Sequence, residues 1–142
     1  MAPGYAFGYV TLLHAHAALG NEDKTVEAFA NMFRYVGGNP AAAEMLETAY
    51  ETLGYSSSML AVGDAMAELT ERQHVPAFWV GVLYMLGSDY DKAIDWFESA
   101  YEQSDPDSPY LGALIKDPNI RKLPRFQALL RKMGLHYWAE NP

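Results

Sequence analysis

Cysteine is absent from all 142 residues. That excludes disulfide staples, thiolate zinc sites and cysteine nucleophiles. No apolar run approaches the roughly 20 residues that a membrane span requires. Basic residues are scarce, and the opening stretch MAPGYAFGYVTLLHAHAALG has neither Lys nor Arg ahead of its apolar part. A signal peptide is therefore not expected, and a cytoplasmic location is. No glycine-rich phosphate loop occurs either. What is abundant is apolar: half the residues are hydrophobic and 13% are aromatic, so a packed core is expected rather than disorder. The length suits one domain.

Charge is uneven. Residues 1–106 carry 15 acids and 4 bases, whereas residues 107–142 carry 3 acids and 6 bases. An acidic body disfavours direct nucleic-acid binding, and the basic tail is expected to meet acids on that body.

Helical periodicity runs through the chain. Tyr5 to Leu19 reads as a helix closed by Gly20. Asn21 is expected to cap a second helix with Val26, Phe29, Met32 and Phe33 on its buried stripe, ended by Gly37 and Gly38. Asn39 and Pro40 start a third helix, in which Met45, Leu46, Tyr50 and Leu53 are expected to be buried and Gly54 to be the stop. Ser56 to Ser58 offer caps for a fourth, carrying Met59, Leu60, Val62, Met66 and Leu69. Phe78 to Gly87 and Tyr90 to Tyr101 form an αα-hairpin. Small residues, Gly81 against Ala93 and Ala100, stand where its two helices approach closely. Asp105 to Tyr110 reads as a loop, and Pro124 to Met133 as a short terminal helix with Phe126, Leu129 and Leu130 on its apolar face.

The pattern repeats at 34 residues without gaps: Leu12, Leu46 and Val80; His16, Tyr50 and Tyr84; Phe29, Gly63 and Phe97. With the small-residue positions of the hairpin, this resembles the tetratricopeptide repeat. The resemblance implies an all-α solenoid of antiparallel helix pairs with a C-terminal capping helix. The pairs span residues 5–37, 39–72 and 76–104 within a repeat region 1–106, and residues 107–142 form the loop and cap. A further likeness covers about Tyr84 to Leu135. SAYEQSDPDSPYL and DPNIRKLPRFQALLRKMGL look like the C-terminal end of bacterial regulators that carry such repeats behind a winged-helix, adenylate cyclase or kinase domain. No such domain lies within these 142 residues, so those activities are not expected here.

Catalytic patterns are weak. His14 and His16 are two apart on a helix, about 200° around it, and cannot chelate one ion together. The acids at Asp91, Asp95, Glu98 and Glu102 have the spacing of a solvated helix face, not of a positioned pair. No enzyme activity, metal or cofactor is expected. In the repeat architecture the first helix of each pair lines a concave groove. Phasing against the buried positions assigns His14, Ala17 and Ala18 to that wall, then Glu44, Thr48, Glu51 and Thr52, then Phe78, Val82 and Met85. The paired Lys and Asn with which many such grooves hold a peptide carboxylate are missing. The expected function is a protein–protein interaction module that holds an apolar or basic segment of a partner, away from membranes and nucleic acid. The alternatives are a structural or sensory fragment that self-associates or holds its own tail, and a small-ligand pocket near Trp79 and Tyr84.

Overall fold

The computed structural model describes residues 3–142, with side chains from Gly8 onward. All regular elements among the described residues are helical. Six longer helices come first: α1 (Pro3–Ala18), α2 (Glu22–Asn31), α3 (Pro40–Leu53), α4 (Tyr55–Leu69), α5 (Ala77–Leu86) and α6 (Tyr90–Glu102). Shorter pieces follow: α7 (Leu111–Leu114), α8 (Pro118–Arg121), α9 (Pro124–Lys132) and α10 (His136–Glu140). Each of the first six packs on its neighbour in sequence.

The ends of these helices follow local chemistry, with some corrections to the sequence reading. Asn39 caps α3, its side-chain oxygen accepting the Ala42 N–H at 3.1 Å. Asn21 precedes α2 without a side-chain cap bond. Instead its carbonyl accepts both the N–H (2.9 Å) and the hydroxyl (2.7 Å) of Thr25. The serines after Gly54 do not cap α4 either. That helix already begins at Tyr55, and the Ser58 hydroxyl donates to the Tyr55 carbonyl at 2.7 Å. Gly54 has φ +81°, a left-handed turn that glycine adopts without penalty, and it separates α3 from α4. Beyond Asn31 the second helix widens into a π turn over Met32–Val36, which the periodicity did not reveal.

Hairpin packing depends on where side chains are missing. A Cβ on Gly81 would lie 2.7 Å from the Phe97 ring and 3.2 Å from the Ala93 carbonyl, so α5 and α6 touch there through glycine. Gly63, where the 34-residue step has Phe at the other two positions, makes room for Tyr84: a Cβ would stand 3.2 Å from that ring. The Tyr84 hydroxyl then reaches the Asp64 carboxylate at 2.6 Å. Helix α3 departs from its expected burial. Leu46 is fully enclosed together with Ala42 and Ala43, yet Met45 is 43% and Leu53 54% exposed. The alanines are small enough for α2 and α4 to close on that side, and the face carrying Met45 and Leu53 is left open.

Two ring contacts join the first helix pair directly to the third: His14 to Phe78 at 6.4 Å and Phe33 to Trp79 at 5.9 Å between centroids. In a linear solenoid each repeat touches only its neighbours. Here α5 is enclosed from Ala77 to Met85 without a break.

The C-terminal segment is more structured than a loop and one helix. Helix α9 sets Phe126 against Phe97, 6.4 Å between centroids, and buries Leu129 and Leu130. At the rim Arg125 pairs with Asp95 and with Glu98, the latter at 3.0 Å. Lys132 lies 5.7 Å above the Tyr101 ring. Arg121 is only 8% exposed. It donates to the carbonyls of Gly112 (2.9 Å), Ile115 (2.7 Å) and Asn141 (3.1 Å), tying α7, α8 and the chain end together. Trp138 lies over Gly112, where a Cβ would come within 2.4 Å of the indole.

Candidate functional site

Two concave regions involve the residues expected along the groove. The first is the open face of α3. Glu44, Met45, Thr48, Thr52 and Leu53, with Ala41, Glu47 and Ala49, line a shallow trough of about 820 Å³. The spacing of four from Glu44 to Thr48 to Thr52 sets these residues on one stripe of the helix. Glu51 is exposed on the same helix. Glu47 is committed to an ion pair with Arg34 from the π turn. Glu44 and Glu51 have no ion pair among the described residues. Thr52 turns its hydroxyl back to the Thr48 carbonyl at 3.0 Å. At the edge, the Tyr50 hydroxyl donates to the Asp23 carboxylate, which holds the phenol up to about 12. The face thus combines exposed apolar side chains with the uncompensated Glu44 carboxylate, and Glu51 adds a second outside the trough on the same helix.

The second region is a cavity of about 240 Å³ between α1, α5 and the link from α7 to α8. His14, Ala17 and Ala18 contribute from α1, Met85 and Leu86 from α5, and Leu114, Lys116, Asp117 and Pro118 from the link. Burial pushes the His14 imidazole down to about 4, so it is neutral at physiological pH. Both Asp117 oxygens are used within the fold, accepting the Asn119 N–H at 2.8 Å and the Tyr90 hydroxyl at 3.1 Å. Lys116 lies 5.2 Å from the Trp138 ring centroid.

The expected wall is therefore divided. Glu44, Thr48 and Thr52 border the α3 trough, while His14, Ala17 and Met85 border the α1–α5 cavity. Phe78 and Val82 line neither, being 1% and 2% exposed. The Phe78 ring is held between His14 and Phe97. The physical reason at Phe78 is that α1 reaches α5 through His14, so a side chain assigned to an open groove becomes interior. Among the described residues no three His, Cys, Asp or Glu side chains gather as a metal site would need. No helix among them is long and apolar enough to cross a membrane.

Asp105 and Asp107 escaped the sequence reading. Asp105 is nearly buried and accepts the Phe78 N–H at 3.2 Å, capping the first turn of α5 from 27 residues away. It also accepts the Asp107 N–H at 3.0 Å. Trp79 donates its indole N–H to Asp107 at 3.3 Å. Burial, with Asp105 close by, raises the Asp107 carboxyl above its usual range. A cap usually precedes its helix by one residue, so a carboxylate arriving from the far end of the next helix has no local signature. The pair organises the α5 terminus, and His74, Gln103 and Ser104 line the same depression of about 470 Å³ beside Trp79.

Comparison with family models, with curated proteins and with solved structures finds no match to this chain.

Proposed function

We propose that the protein is a non-catalytic interaction module whose docking surface is the open face of α3. The observation that carries this reading is the exposure of Met45 and Leu53 beside Glu44 in the trough, with Glu51 exposed elsewhere on the same helix, whose other side is closed by alanines. Large apolar side chains grouped on one exposed face favour contact with another surface. Two carboxylates without partners favour a basic one. The occupant that fits is an amphipathic, Lys- or Arg-rich helical segment of another protein, with apolar anchors at three- and four-residue spacing. This keeps the tetratricopeptide-like reading of the sequence but moves the contact from a groove shared by three helices to one helix face. A cytoplasmic partner belongs to the same reading.

The test is selection of a displayed random-peptide library on the immobilised full chain. Amphipathic sequences rich in Lys and Arg are the expected product. Glu44→Lys combined with Glu51→Lys should reverse the charge preference without unfolding the chain. Enrichment of no motif, or of the same basic motif on the doubly substituted chain, would overturn the proposal. A second copy of this chain as the occupant would appear instead as concentration-dependent dimerisation abolished by Leu53→Asp.

A further inference from the structure

The cavity between α1, α5 and the α7–α8 link combines a buried imidazole, an exposed ammonium and an apolar wall. His14 is 6% exposed and lines it, yet its imidazole has no hydrogen-bond partner among the described residues. Its ring nitrogens are not sealed off from solvent, so they open onto the cavity and are available there to a water or a ligand. Lys116 stands exposed in the same wall, 5.2 Å from the Trp138 ring centroid and without an ion pair among the described residues, while the neighbouring Asp117 spends both oxygens on Tyr90 and Asn119. Between the two polar groups the wall is apolar, built from Ala17, Met85, Leu86, Leu114 and Pro118. At about 240 Å³ the space is below the usual range of drug-sized pockets, roughly 300–1,000 Å³. It is several times the roughly 30 Å³ share of one liquid water.

We propose that this cavity binds a small hydroxy- or oxo-carboxylate with a short apolar body, the carboxylate meeting Lys116, the body lying on the apolar wall, and the hydroxyl or carbonyl hydrogen-bonding to His14. The ammonium selects an anion, because Asp117, the carboxylate in the wall among the described residues, is already occupied. The imidazole, neutral and carrying one donor and one acceptor, takes a hydroxyl or a carbonyl equally well. The site is separate from the α3 face, so its success or failure leaves the docking proposal untouched.

Titration of the isotope-labelled full chain tests it, with lactate, butyrate, phenylacetate and mandelate as probes and mandelamide as the neutral control. Shifts of the His14 ring and of the Ala17 and Leu114 methyl groups are followed. Mandelate should give saturable shifts at all three. Phenylacetate, which lacks only the hydroxyl, should bind more weakly, and that difference should vanish in His14→Phe. Lys116→Gln should weaken mandelate by up to about fivefold, the size expected for one largely solvated ion pair. The absence of saturable shifts with every carboxylate would overturn the proposal. So would equal binding of mandelamide, or mandelate affinity unchanged by both substitutions. Lys116→Gln alters only an exposed side chain, so it remains informative if His14→Phe fails to fold.

Discussion

Helices α3 and α5 stand one 34-residue step apart and share a register, but they have opposite fates. Leu46 and Val80 correspond, and both are fully buried. One turn around the helix the match fails. Glu44 and Thr48 are exposed, whereas their counterparts Phe78 and Val82 are interior. Met45 is 43% exposed and its counterpart Trp79 only 5%. The period thus determines which side of a helix meets its hairpin partner. Whether the other side is covered depends on what arrives from elsewhere. For α5 it is α1 through His14, the π turn through Phe33, and Asp105 at the N-terminus. For α3, Met45 and Leu53 remain at the surface.

The largest test of this contrast compares equivalent positions. Phe78→Ala should cost about 3–5 kcal/mol, as for a large side chain removed from a closed core. Glu44→Ala should stay within about 0.5 kcal/mol. Urea denaturation of both variants measures the difference, and similar costs would break the comparison.

Next in size is a pH effect from His14. Its folded pKa, about 4, lies below the 6.5 of an unperturbed histidine. As pH falls below 6.5 the unfolded chain takes up a proton that the folded chain refuses, so stability is lost through that window and levels off below about 4. The full loss is on the order of 3 kcal/mol. Denaturation midpoints between neutral and acid pH should show the slope in the native chain and a reduced one in His14→Phe.

The tail offers a smaller internal contrast, between Arg121 and Arg125. Arg121 is buried on three carbonyls, whereas the Arg125 side chain is 41% exposed among acids. Arg121→Gln should cost about 1.5–3 kcal/mol, the range for charged hydrogen bonds. Arg125→Gln should cost about 0–1 kcal/mol. Thermal melts at low and high salt separate them, because only the Arg125 contribution should fade with ionic strength.

These contrasts also mark how far the sequence could be read. The six long helices were legible because glycines, prolines and apolar stripes punctuate them locally. The Gly81 contact was legible from residue size. The open face of α3 was not, since Met45 and Leu53 carry the same apolar signal whether covered or bare. Nor was the division of the groove residues, because the meeting of His14 with Phe78 spans 64 positions and leaves no local pattern. Among α7, α8 and α10, the first two are only four residues long, too short for a periodic signal. The pairing of Asp105 with the α5 terminus depends on the path of the chain after α6.

The most direct measurement is a titration of the full chain with a synthetic amphipathic peptide of Leu and Lys, read residue by residue through backbone and methyl shifts. Binding on the uncovered helix predicts movement at Thr48, Thr52 and Leu53, with Phe78 and Val82 unchanged. Movement centred on Phe78 and Val82, with α3 unaffected, would mean that α1 and α5 part to form the groove, and would contradict the assignment of α3 as the docking face.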